Sequence, residues 1–128
     1  MILLDTTFLI DLLRGDKNTL KVTKQKELFL TTQINMYEVI RGMHIKNMSS
    51  YKIYKAIELF ENIRVLPLDD NAILKSSEIS ARLIKKGETI SDCDCLIAGI
   101  ALSKGIKKII TRNVKHFKKI DELKVENY

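Results

Sequence analysis

The stretch Ile90-Ser-Asp-Cys-Asp-Cys-Leu-Ile-Ala-Gly-Ile-Ala-Leu102 decides how this chain folds. From Cys93 onward it predicts a helix, closed by Gly105, with apolar residues on nearly every face. A helix that is apolar all round is buried. Asp94 nevertheless sits inside it, where an unpaired carboxylate costs several kcal/mol. Only a cation, a hydrogen-bond network or a shifted pKa offsets that cost. Two further acids are embedded in the same way. Asp5 ends the apolar run Met1-Ile-Leu-Leu4, and Glu38 interrupts Ile34-Asn-Met-Tyr-Glu-Val-Ile40. Three acids in three separate apolar elements point to one shared site, and the simplest partner for it is a divalent metal.

Outward from that helix, short apolar runs alternate with helical patterns. Ile2-Leu-Leu4 reads as a fully apolar strand of the kind found centrally in parallel sheets. Thr6 or Thr7 is expected to cap a helix over residues 8–14, with Gly15 as its stop. Asp16 or Asn18 starts a second helix through Lys24, and Glu27-Leu-Phe-Leu-Thr31 reads as a strand. Helices follow over 34–45 and, capped by Ser49 or Ser50, to about Asn62. In Val65-Leu-Pro-Leu68, Pro67 favours an edge or a strand end. Asp69 or Asp70 caps a long helix to Lys86; after the buried helix come a strand over 108–111, a short helix from Asn113 through Phe117, and a last edge strand over 124–126. This alternation predicts an α/β fold, one domain over 1–128, with a parallel sheet flanked by helices on both faces. Ligands of such folds sit at the carboxyl ends of strands. Asp5 stands at one such end, Thr111 and Asn113 at another, so the two ends are expected to share a cleft.

The formal net charge is +6, carried mostly by lysine, which favours a polyanionic partner. A basic exterior around an acidic site suits a phosphodiester, drawn in by lysines and held by metal. Carboxylates without histidine or cysteine select hard cations, Mg²⁺ or Mn²⁺. A metal-bound water then serves as nucleophile, and no side-chain nucleophile is evident. Cys93 and Cys95 point to different helix faces and would be strained as a disulfide, so they read as small reduced core residues. His44 and His116 have no zinc-type spacing. No apolar run approaches a membrane span, and no basic region precedes the first apolar residues, so a cytoplasmic, leaderless protein is expected.

Several residues carry two readings. Asp92 lies in the first turn of its helix, where the macrodipole alone favours a carboxylate, or it is a metal ligand. Asn113 orients a water or the metal shell, or forms an Asx-turn after the strand. Asp11 and Arg14 are at pairing distance on the first helix, and a surface pair is the default. A phosphatase of the haloacid dehalogenase kind needs an acid two positions after its nucleophilic aspartate; here Thr7 stands there. A phosphorylated receiver module needs paired acids at the first strand and a lysine after a late one, whereas Asp5 stands alone and Arg112 follows Thr111.

Four segments together are similar to those of PIN-domain ribonucleases, most closely the VapC-type toxins of prokaryotic toxin–antitoxin pairs. They are Met1 to Gly15 around Asp5, Tyr37-Glu38-Val-Ile-Arg-Gly42, Gly87-Glu-Thr-Ile90 with Asp94-Cys-Leu-Ile-Ala98, and Thr111-Arg-Asn113-Val-Lys-His-Phe117. Each is weak alone; four in order over essentially the whole chain are fairly specific. The resemblance implies an α/β sandwich around a parallel sheet, and Mg²⁺ or Mn²⁺ held by Asp5 and Asp94 with Glu38 completing the acidic site. It also implies homodimers and a small VapB-type antitoxin whose C-terminal segment blocks the cleft. The chain departs from the family where Asn113 replaces an aspartate common in the wider family, and where His116 replaces an acid of many members. That puts a two-metal arrangement in doubt unless Asp92 supplies the missing charge. The expected function is a metal-dependent endoribonuclease whose Arg112 and Lys115 contact RNA phosphates. The alternative is a PIN-like RNA-binding or RNA-processing module with weak or no catalysis, which the Asn113 departure keeps open.

Overall fold

Ile2 and Leu4 point to one side of the first strand and Leu3 to the other, and this alternation divides the core in two. The computed structural model describes residues 1–128. Its elements run β1 (Ile2–Leu4), α1 (Thr6–Leu13), α2 (Lys17–Thr23), β2 (Phe29–Thr32), α3 (Gln33–Ile45), α4 (Ser50–Glu61), β3 (Arg64–Leu66), α5 (Asp70–Lys85), α6 (Asp92–Ser103), β4 (Lys108–Ile110), α7 (Val114–Phe117) and β5 (Lys124–Glu126). The sheet order is β3-β2-β1-β4-β5, and every pairing is parallel. β3 and β5 are therefore the edges, as Pro67 just past β3 foretells.

Leu3, Leu30, Leu66 and Ile109 face a layer built from α5, α6 and α7, with Ile79, Leu83, Ile97, Ile100 and Phe117 as its bulk. Ile2, Leu4 and Ile110 face a second layer from α1, α3 and α4, filled by Phe8, Leu9, Val39, Met43 and Phe60. Helices thus cover both faces. Both directions of winding start from β1: the chain runs outward through β2 and β3, then returns to add β4 and β5 on the other flank. The strand order reverses between β1 and β4, which is where an open α/β sheet forms its crevice.

Ser91 caps α6 by accepting from the Asp94 N–H at 3.2 Å, so this helix begins one residue earlier than its apolar pattern indicates. Asp16, Ser49 and Asp69 cap α2, α4 and α5. The start of α1 departs from expectation. Asp5 occupies its N-cap position without making a side-chain cap bond, and Thr6 and Thr7 lie inside the first turn. The reason is that the Asp5 carboxylate is committed elsewhere, to Asn35 and Thr111. No helix is long and apolar enough to cross a membrane.

α5 and α6 meet closely at Gly99. A Cβ there would lie 2.7 Å from the Ser76 Cα and 1.8 Å from its Oγ. Rotating the Ser76 side chain cannot relieve a clash with backbone, so the helices would have to separate. Gly99→Ala is expected to destabilise the fold by about 2 kcal/mol through overpacking, despite the better helix propensity of alanine. Chemical denaturation reads this directly, and an unchanged midpoint would refute it.

Candidate active site

Asp5 is the first residue beyond β1, and its N–H donates to the Ile110 carbonyl at 3.1 Å, binding it to the end of β4. Its side chain turns inward and is 3% exposed. Oδ2 accepts from the Thr111 hydroxyl at 2.6 Å, and Oδ1 from the Asn35 amide at 3.0 Å. Burial pushes the carboxyl up to about 6; the hydrogen bonds from Thr111 and the Thr6 backbone oppose this, and the nearby charges of Asp94 and Glu38 add to it.

Asn35 organises this half of the site. The Asn35 Nδ2 also donates to the Thr6 Oγ1 at 3.0 Å, and the Thr6 hydroxyl donates to Glu38 Oε1 at 2.8 Å. Its own Oδ1 accepts from the Thr32 hydroxyl at 2.7 Å within the capping box that opens α3. Glu38 lies one turn after Asn35 on the same helix face and is half-buried. Glu38, Thr6, Asn35, Asp5 and Thr111 therefore form one continuous polar chain from α3 across β1 to β4.

Asp94 enters from the first turn of α6, where the helix macrodipole favours its charge. It is 7% exposed. Oδ2 lies 3.0 Å from His116 Nδ1 and accepts from Asn113 Nδ2 at 3.4 Å, so both carboxylate contacts fall on this one oxygen. Asn113 N–H donates to Thr111 Oγ1 at 2.9 Å, so Asp5, Glu38, Asp94 and Asn113 are joined through one hydrogen-bond network at the β1/β4 switch point. Asp92 is exposed and lines a groove with Ser76, Ser80 and Cys95 against α5. Two residues along a helix turn to different faces, so Asp92 and Asp94 address different surroundings.

Burial is the main reason the Asp5 carboxyl stands at about 6, and the charges of Asp94 and Glu38 add to it. The site's donors are oxygens and one imidazole, suited to Mg²⁺ or Mn²⁺. No three histidine, cysteine, aspartate or glutamate side chains converge as a ready-made ligand set. An ion here would therefore take few protein ligands and keep several waters.

Sequence reasoning passed over Asn35 and Thr32, although Thr32-Gln-Ile-Asn35 has capping-box spacing and Asn35 is three residues before Glu38. It gave His116 no role in the site, although His116 follows Asn113 by one helical turn. Asp11 does not pair with Arg14. Its Oδ2 accepts from Arg112 Nε at 2.9 Å and from the Tyr128 hydroxyl at 2.6 Å, and the Arg112 guanidinium stacks 4.4 Å over the Tyr128 ring. These partners hold the Asp11 carboxyl below its usual range, the Tyr128 bond first. Arg112 is thereby held in place, its backbone N–H donating to Thr7 Oγ1 at 2.9 Å; Arg112 and Lys115 are both exposed.

The family model described as PIN domain matches residues 2–123. The chain is 29% identical over 98 residues to the tRNA(fMet)-specific endonuclease VapC of Salmonella typhimurium, covering 76% of this chain and 73% of that protein. Among solved structures, VapBC-1 from nontypeable Haemophilus influenzae superposes with a TM-score of 0.83 at 27% identity, covering 99% of this chain and 98% of that one. VapBC2 from Rickettsia felis, bound to a DNA fragment from its promoter, gives 0.81 at 23% identity over 100% and 99% of the two chains, a likeness of fold.

Proposed function

This chain belongs to the PIN-domain family, and on that footing we propose that it is a metal-dependent endoribonuclease, the toxin of a toxin–antitoxin pair, with residues 1–128 as its single domain. The observation that carries this reading is the buried Asp5 carboxylate at the β1/β4 switch point, raised to about 6 with Asp94 and Glu38 beside it. The name of the Salmonella relative, a tRNA-specific endonuclease, supports RNA as the substrate class.

In this reading Asp5 and Asp94 hold Mg²⁺ or Mn²⁺. A bound ion of this kind neutralises charge developing on the phosphate and lowers the pKa of its water. Glu38, held by Thr6, accepts a proton or a water hydrogen bond at the cleft mouth. Asn113 supports a water or phosphate oxygen. Arg112 and Lys115 draw in the phosphate backbone, and the +6 net charge adds long-range attraction. Asp92, facing the α5 groove, acts through the α6 N-terminus.

The antitoxin reading is supported by an apolar groove of about 340 Å³ between α1, α3 and α4, lined by Ile10, Leu13, Met43, Met48 and Tyr51 and edged by Arg14, Lys52 and Lys55. It suits an amphipathic VapB-type segment with acidic residues. For a homodimer, α5 offers Ile73, Leu74 and Ile84 on its exposed side. The substrate class fits a cytoplasmic location.

The test is cleavage of tRNA and ribosomal RNA by partner-free protein with Mg²⁺, Mn²⁺ or EDTA. Scission at defined positions that requires metal is expected. Tight RNA binding without scission in any metal would instead favour the binding-module reading, which Asn113 in place of an acid supports.

A further inference from the structure

His116 Nδ1 lies 3.0 Å from Asp94 Oδ2 and 3.0 Å from Asn113 Nδ2, and the latter two are 3.4 Å apart. The three atoms form a nearly regular triangle at the cleft mouth. As a hydrogen-bond network it is frustrated: Nδ1 either donates to Asp94 or accepts from Asn113, and one ring nitrogen cannot do both. As a partial ligand set it has usable spacing. Two atoms in neighbouring positions of an octahedral ion with bonds of about 2.1 Å stand about 3.0 Å apart. The Asp94–His116 separation has that length. Turning the Asn113 amide over places its Oδ1 where Nδ2 now lies, so that all three atoms carry lone pairs. Both contacts to the Asp94 carboxylate fall on Oδ2, and the imidazole is 46% exposed.

We propose that His116 is a direct ligand of the cation at Asp94 and makes this a mixed nitrogen–oxygen centre that selects Mn²⁺ over Mg²⁺. The proposal rests on the metal-dependent reading above. Imidazole suits transition ions, whereas Mg²⁺ prefers an all-oxygen shell. His116 thereby sets which ion serves the site.

The experiment is pulsed electron paramagnetic resonance of the full chain loaded with Mn²⁺, alongside calorimetric titration with Mn²⁺ and with Mg²⁺. The wild type is expected to show the ¹⁴N coupling of directly bound imidazole. His44→Gln, which alters a histidine outside the site, keeps it, and both His116→Gln and His116→Glu lose it while still binding Mn²⁺. The preference for Mn²⁺ over Mg²⁺ is expected to fall about tenfold in His116→Glu, which restores an oxygen donor. Bound Mn²⁺ without ¹⁴N coupling in the wild type, or an unchanged preference in His116→Glu, would overturn the proposal and leave metal-dependent cleavage standing. A wild type that binds no Mn²⁺ at all would overturn both.

Discussion

Asp94→Asn is expected to lower metal-dependent RNA cleavage by a hundredfold or more while the protein stays folded. Stabilising transition-state charge through a bound metal is worth several kcal/mol, and each 1.36 kcal/mol is a factor of about ten in rate. The amide keeps the shape of the side chain, one oxygen for the His116 contact at 3.0 Å, and the backbone N–H that Ser91 caps. What it removes is the negative charge of the carboxylate proposed to hold the ion, whose hydrogen bonds within the protein all go to Oδ2. Single-turnover cleavage with equal amounts of each protein, together with Mg²⁺ titration, separates the cases. Loss of cleavage with weakened metal binding is the expected pair. Equal rates would mean that a contaminant cuts the RNA, and loss of cleavage with undiminished metal binding would move the ion away from Asp94. The exchange also removes one of the negative neighbours that raise Asp5, so the metal-free variant is expected to be at least as stable as the wild type.

The parts of this site that the sequence displays are those where polarity contradicts local pattern. Asp94 is conspicuous because α6 is otherwise buried through Cys95, Ile97, Ala98, Gly99, Ile100 and Ala101, and Asp5 because it ends a strand with three buried residues. Parallel strands also announce themselves, since Ile2–Leu4 and the pair Ile109 and Ile110 put apolar side chains on both faces and so need cover on both. Asn35 is different. A neutral amide in an amphipathic helix carries no such contradiction, and its importance arises only when β1 places Asp5 and Thr6 opposite it, 30 and 29 residues away. The Asp11–Arg112–Tyr128 cluster lies further still from local pattern, joining residues 101 and 117 apart because β5 pairs with β4 and brings the chain end back over α1. The start of α1 shows the limit from the other side. Threonine is a good N-cap by propensity, but the carboxylate of Asp5 is drawn to Asn35 and Thr111, and the helix begins one residue past it with no side-chain cap.

The Asp5→Asn exchange is expected to make the metal-free protein more stable near pH 8, by up to about 3 kcal/mol, with the advantage vanishing near pH 4. In the unfolded chain the carboxyl titrates at 3.8, and in the fold at about 6. Between those values the folded protein holds a proton that the unfolded chain has released, so this group's contribution to stability falls as pH rises and is at its worst above the folded value. Below 3.8 both states are protonated and the difference disappears. An amide at this position is uncharged throughout. It can still accept from Asn35, and its own NH₂ can donate to the Thr111 hydroxyl once that hydroxyl turns. Adding Mg²⁺ or Mn²⁺ should reverse the order, because an ion that binds only the folded wild type stabilises it by mass action, while the variant lacks the charge to hold it. Metal binding to the wild type below about pH 6 should also release a proton, visible as a buffer-dependent heat. Urea unfolding of both proteins at the two pH values, with and without metal, tests all of this. A variant less stable than the wild type at pH 8 without metal would show that the Asp5 carboxylate is held for the fold and not for a cation. The opposite result would mean that the fold tolerates a destabilising buried charge at its switch point, a cost consistent with selection for function at that position.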